Sequence, residues 1–134
     1  MTTLADDEAA IVAVSLDYFE GWFEGDVARM DEALHPELAK RSLETGDSGA
    51  QCRKTLTKQV MLDATREGVG KTRGEGDRGL EIHVEDIHGA IASVTARSTV
   101  YREYLHLART EEGWKIVNAL WAWTAPRTAE VPPR

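Results

Sequence analysis

A chain of 134 residues with 42% hydrophobic side chains is sized and composed for one folded domain with its own core, not for a disordered tract. Its 16 Lys and Arg against 23 Asp and Glu leave a formal charge of −7 with no basic cluster to offset it, which argues against a nucleic-acid partner. Cys52 is the only cysteine, so no intrachain disulfide is possible and a reducing, cytoplasmic compartment is the expectation. The opening stretch MTTLADDEAAI is acidic where a signal peptide is basic, and no apolar run approaches the ~20 residues of a membrane span.

Residues 6–24 read as the first helix. Val12, Leu16, Phe19 and Phe23 recur at helical spacing, and Ile11, Ser15, Tyr18 and Trp22 repeat it one position earlier, giving a wide buried stripe. Thr3 or Asp6 suits its start and Gly25 its end. Asp26 then caps a short second helix through Val27, Met30 and Leu34, which His35-Pro36 stops, because the residue before proline is pushed out of the α region. Glu37–Leu43 is a weak strand candidate, and 44–55 reads as a polar loop. A third helix runs from a Thr57 cap to Gly68. Residues 68–79 hold five Gly among twelve positions and read as a flexible connection.

From Leu80 the period changes to two: Leu80, Ile82 and Val84 alternate with polar residues, and after His88-Gly89 so do Ala92, Val94 and Ala96. A single strand from Ile91 to Arg109 would span roughly 60 Å, so the chain must turn or bulge near Ser98–Arg102, although no Gly or Pro marks the place. The strongest signal is a hairpin, Tyr101–Arg109 and Trp114–Trp123 around Thr110-Glu111-Glu112-Gly113, which carries three of the four Trp. Trp121 and Trp123 share one face of it, opposite Leu120. Helices first and antiparallel strands after define an α+β class, with the helices packed on one side of a curved sheet. The domain is expected over 1–128, with a disordered tail at 129–134.

Three motifs imitate chemistry without its context. Gly70-Lys71-Thr72 resembles the end of a phosphate-binding loop, but Thr65 stands where that loop needs Gly, and a helix precedes where a strand is required. Gly74-Glu75-Gly76-Asp77-Arg78-Gly79 spells a dinucleotide fingerprint, yet a strand follows it. His83, Glu85, Asp86 and His88 divide between two faces of a regular strand and cannot converge on a metal unless a bulge intervenes. No metal and no cofactor is expected.

Tyr18–Asp26 (YFEGWFEGD), Leu34-His35-Pro36, Leu56-Thr57-Lys58 and Glu103–Leu107 (EYLHL) followed by Gly113–Asn118 (GWKIVN) together resemble the putative lumazine-binding family, over about residues 8–123. That family belongs to the nuclear transport factor 2-like superfamily with its cystatin-like cone. The resemblance implies three helices over a strongly bent, mostly antiparallel sheet, an internal pocket, and a homodimer through the sheet's outer face. It implies less about activity: the superfamily includes ketosteroid isomerases, scytalone dehydratase, polyketide cyclases and epoxide hydrolases beside transport and scaffold proteins.

Within such a pocket, Tyr18 is a candidate hydrogen-bond donor, with Trp22 one turn on; the competing reading of Tyr18 is a core residue with its hydroxyl at the rim. The proton acceptor depends on hairpin register. If Ala108 pairs with Ile116, His106 faces Asn118 on the side of Ile116 and Leu120; if Arg109 pairs with Ile116, Glu103 shares the inner face instead. His106 suits proton transfer near neutral pH, and Asn118 adds a polar neighbour. His35 either borders the pocket or caps the second helix. The expected function is the binding of a small apolar molecule, with isomerase or dehydratase chemistry by general acid–base catalysis. The alternative is a non-catalytic homodimeric module.

Overall fold

The computed structural model describes residues 3–46, 49–73 and 78–124, with 44–46, 49–53 and 73 described by backbone alone. The centre of the dinucleotide-like motif (74–77), the Cys52 side chain and the end of the chain past Thr124, including the expected tail, lie outside the described residues.

Helix α1 (Leu4–Glu24) starts at a reciprocal cap: Thr3 Oγ1 accepts the Asp6 N–H at 3.0 Å while the Asp6 carboxylate accepts the Thr3 N–H at 3.1 Å. Gly25 ends it at φ 70°, a left-handed conformation that a side chain would strain. Asp26 then caps α2 (Val27–Ala33) by accepting from the Arg29 N–H at 3.2 Å, and the Arg29 guanidinium reaches back to Asp17 and Glu20 on α1.

The next segment departs from the sequence expectation. The strand expected over Glu37–Leu43 is present within β1 (Leu34–Gly46), but the stretch read as a polar loop instead completes β1 and forms β2 (Gly49–Leu56), paired with it. β2 is the sheet's edge, and an edge strand facing solvent tolerates polar residues without a period-two apolar signal. Pro36 falls in the irregular stretch between the pairs Leu34–Ile116 and Ala39–Asn118, where its missing N–H removes no ladder bond. Helix α3 (Lys58–Arg66) begins at its expected Thr57 cap. A short α4 (Val69–Arg73) occupies the first part of the stretch read as a flexible connection. There Gly70 packs against α1 so closely that a Cβ would lie 2.3 Å from the Trp22 carbonyl oxygen, so the glycine serves helix contact.

Strands β3 (Glu81–His88), β4 (Ile91–Arg97), β5 (Tyr101–Thr110) and β6 (Gly113–Trp123) complete a curled six-stranded sheet of order β2-β1-β6-β5-β4-β3. Among the described residues only β1 and β6 run parallel, and β6 is an interior strand. The break between β4 and β5 is made by Ser98, whose hydroxyl accepts the N–H groups of Val100 (3.1 Å) and Tyr101 (2.8 Å).

Two one-residue bulges decide which side chains look inward. Glu85 is the extra residue in β3, so His83, Asp86 and His88 come to one face after all. Val117 is the extra residue in β6: His106 pairs with Asn118, but Leu107 pairs with Ile116. The inner face therefore carries Glu103, Leu105, Leu107, Ile116, Ala119 and Trp121, all buried under the helices with Ile11, Phe19 and Phe23. Full burial of an aliphatic or aromatic side chain of this kind stabilises by about 1.5–3 kcal/mol. At the far end of the sheet the buried Asp7 carboxylate accepts from Arg109 (3.0 and 3.1 Å) and the Trp114 indole (3.2 Å), which fixes the start of α1 on the hairpin tip.

Candidate functional site

Three polar side chains from three elements meet inside this apolar core. Tyr18 comes from the deepest stripe of α1, Lys40 from β1 opposite Ala119, and Glu103 from the inner face of β5. Tyr18 and Glu103 are 2% exposed and Lys40 is 7% exposed. The Tyr18 hydroxyl donates to Glu103 Oε2 at 2.8 Å and accepts from the Lys40 ammonium, whose Nζ lies 3.8 Å from Glu103 Oε1. Charge and hydrogen-bond direction agree along this row: a cation donates to a phenol, and the phenol donates to a carboxylate.

Aromatic rings enclose the ammonium. Lys40 Nζ is 4.9 Å from the ring centre of Tyr18, 5.8 Å from that of Trp22 and 5.6 Å from that of Trp121, within the range of a cation–π attraction. The Trp22 indole donates to the Tyr101 hydroxyl at 3.0 Å. The Trp121 indole N–H is buried and has no hydrogen-bond partner among the described residues.

Burial pushes the Glu103 carboxyl above the ordinary carboxylate range, and the Lys40 charge and the Tyr18 hydrogen bond offset that rise only in part. Burial also raises Tyr18 well above the usual phenol value, reinforced by the Glu103 charge and hydrogen bond, so Tyr18 stays a neutral donor. A buried carboxylate shifted upward and linked to a phenol and an ammonium has the parts needed to accept and return a proton.

Of the residues singled out from sequence, Tyr18, Trp22 and Glu103 come together here. Of the two candidates for the inner face, Glu103 occupies it and His106 does not. His106 is exposed on the outer face, its Nδ1 3.2 Å from Asn118 Nδ2, and Asn118 Oδ1 in turn accepts from Arg41 at 3.2 Å. His106 borders a groove of about 420 Å³ lined also by Asp86, His88, Ile91 and Ser93. His35 lies at a separate cleft of about 260 Å³ with Pro36, Lys58 and Lys115, and its Nδ1 accepts the Glu37 N–H at 3.0 Å instead of capping α2.

Lys40, Trp121 and Tyr101 were not among the site residues read from the sequence. Lys40 had a signal: it alternates with Leu38, which is buried at 4%, so period two through the weak strand placed it inward. Among the described residues no group of three or more His, Cys, Asp or Glu can hold a metal ion, even with the β3 bulge. No helix of the described residues is long and apolar enough to cross a membrane.

A curled sheet with N-terminal helices over its inner face is the nuclear transport factor 2-like, cystatin-like fold, and solved structures match it. One is an NTF2-like protein of unknown function from Silicibacter pomeroyi (TM-score 0.70, 12% identity, covering 91% of this chain and 99% of that one). Another, also described as NTF2-like and of unknown function, is from Shewanella baltica (TM-score 0.66, 15% identity, 94% and 100%). A third, from Streptomyces avermitilis, is described as a putative dehydratase of the NTF2-like family (TM-score 0.62, 15% identity, 92% and 100%). At such identities the likeness establishes the fold alone. No curated protein matches the chain. The profile of the family described as putative lumazine-binding matches residues 6–122, and the chain belongs to that family.

Proposed function

We propose that this protein binds a small, largely apolar molecule inside the sheet's curl and transfers a proton within it, as an isomerase or dehydratase does. Glu103 is the proton acceptor, Tyr18 the donor, and Lys40 holds the charge of the pair. The observation that carries this reading is the buried Lys40–Tyr18–Glu103 row, in which burial raises the carboxyl and a phenol and an ammonium stand beside it. The family's small-molecule description supports it, as does the name given to the Streptomyces avermitilis protein.

The test is deuterium wash-in from D2O into 2-tetralone, an apolar cyclic ketone with an exchangeable C–H, followed by NMR. Exchange above the buffer rate is expected, falling by roughly 10²-fold or more in Glu103→Gln and less in Tyr18→Phe. No acceleration by the wild-type protein would remove the catalytic reading.

The second reading, a homodimer through the outer sheet face, rests on a separate observation. Ile91 is 60%, Tyr104 46% and Leu43 36% exposed, and all three belong to strands whose other face is already covered. A two-fold axis would set the same exposed apolar face of a second copy against these three residues. A cytoplasmic location accords with the single cysteine.

A further inference from the structure

The polar row on the outer sheet face holds one acceptor and two groups that can claim it. Asn118 on β6 lies between Arg41 on β1 and His106 on β5. Arg41 Nη1 donates to Asn118 Oδ1 at 3.2 Å, and Asn118 Nδ2 is 3.2 Å from His106 Nδ1. A guanidinium only donates, so it fixes which end of the amide faces it and turns the NH2 towards the imidazole. His106 Nδ1 then accepts, and the neutral ring carries its proton on Nε2.

Protonation breaks this order. An imidazolium donates from both nitrogens, so the new Nδ1–H would point at an NH2 that also only donates. The amide answers by turning over, which offers Oδ1 to His106 and sets Nδ2 against Arg41, where two donors again meet. Arg41 and His106 sit at opposite ends of the amide, so Oδ1 serves one of them at a time. In either arrangement it accepts from a cation, which keeps the two states close in energy and lets the proton choose. Arg41 and His106 are both exposed, so packing does not hold either in place.

The charged and titratable groups around His106 are few. Asp86 and His88 on β3 line the same groove, and the neighbour on β4 is the uncharged Ser93. Tyr104 lies two residues along β5, and the Lys115 ammonium on β6 is tied to Glu32. Of these residue types only histidine ordinarily titrates near neutral pH, which makes His88 the control.

We infer that Arg41, Asn118 and His106 form a proton-operated switch, in which protonation of His106 turns the Asn118 amide over and releases Arg41. The switch is separate from the proposed interior site and needs one chain only.

The experiment follows the ¹⁵N-labelled full chain by NMR from about pH 8 to about pH 5, the range in which histidine titrates. At the alkaline end His106 should show a bare Nδ1 and a protonated Nε2. As pH falls, the Asn118 amide and Arg41 guanidinium signals should move in step with the His106 ring. His106→Gln should hold both still, and His88→Gln should leave their movement intact. Asn118→Ala should hold the Arg41 signals still while His106 goes on titrating, which separates the amide link from a charge felt through space. If a variant fails to fold, the joint movement in the unaltered protein still decides. A protonated Nδ1 at the alkaline end, or Asn118 and Arg41 signals that ignore the His106 titration, would overturn the switch. So would movement lost in His88→Gln or kept in His106→Gln, or an Arg41 response that survives Asn118→Ala.

Discussion

The two faces of one hairpin set up the same kind of polar row with opposite consequences. On the inner face, Lys40, Tyr18 and Glu103 are linked through a 2.8 Å hydrogen bond and an ion pair. On the outer face, Arg41, Asn118 and His106 are linked at 3.2 Å, from the neighbouring residue of β1, from β6 and from β5. Histidine is the residue type whose ordinary pKa suits neutral-pH proton transfer, yet it stands in water. The carboxylate, unsuited by its ordinary value, is the one that burial pushes upward. Environment outweighs residue type: a hydrogen bond in low dielectric carries stakes that the same bond loses in solvent.

The largest effect should come from breaking the inner row. Lys40→Met strands Glu103 among apolar neighbours, and losing one partner of a buried pair costs about 3–5 kcal/mol at neutral pH. The sign with pH follows from the raised carboxyl. Lys40 is what lowers Glu103, so removing it raises the folded-state value further. A carboxyl raised in the folded state contributes most below its unfolded value and loses that contribution as pH climbs through the folded one. Urea unfolding should therefore find Lys40→Met least harmful at acidic pH and most harmful near neutrality. The double variant Lys40→Met/Glu103→Leu should cost less than either single change at neutral pH. A penalty independent of pH, or additive single changes, would show that the row is not an electrostatic unit.

How far the sequence carried this contrast depends on where strand parity holds. The α1 stripe, its Thr3 and Gly25 boundaries, the Thr57 cap and the hairpin were legible, because each is a local pattern of several residues. The inner site was half legible. Tyr18 and Glu103 were both candidates, but the choice between Glu103 and His106 hung on register. The register found pairs His106 with Asn118, as one alternative had it, and slips by one residue from Leu107–Ile116 to the hairpin tip. Val117 is extra, so Ile116 and Ala119 both turn inward, and a hairpin read at strict period two must misplace one side of the bulge. Lys40 was passed over because a lysine in a weak polar strand is ordinarily solvated; only its pairing beside β6 buries it. The β1–β2 hairpin and α4 were missed for a related reason. Polar edge strands and a five-residue helix have no apolar period, and long-range contacts stabilise them.

A smaller effect tests the outer face as a contact surface. Light scattering should find twice the monomer mass at micromolar concentration. Tyr104→Lys or Ile91→Lys should raise the dimer dissociation constant by tenfold or more, about 1.4 kcal/mol, and leave the inner row untouched. A monomeric wild-type protein would leave the exposed Ile91 and Tyr104 without the second copy assigned to them.

The smallest effect is expected from the outer polar row itself. Arg41 has only donors, so the Asn118 atom facing it must be Oδ1, which turns Nδ2 towards His106 and makes His106 Nδ1 the acceptor. Asn118→Ala therefore removes two hydrogen bonds at once, as many as the Tyr18 hydroxyl makes on the inner face. Both bonds lie at the solvent side, where water replaces what is lost, so the change should cost no more than about 0.5–1 kcal/mol. The inner equivalent, Tyr18→Phe, leaves a buried carboxylate and ammonium without their bridge, and its cost should be about 1–3 kcal/mol. Measuring both by urea unfolding at neutral pH compares equal numbers of hydrogen bonds on two faces of one sheet. Equal costs would mean that the Lys40–Tyr18–Glu103 row is reached by water, and that burial does not set its chemistry.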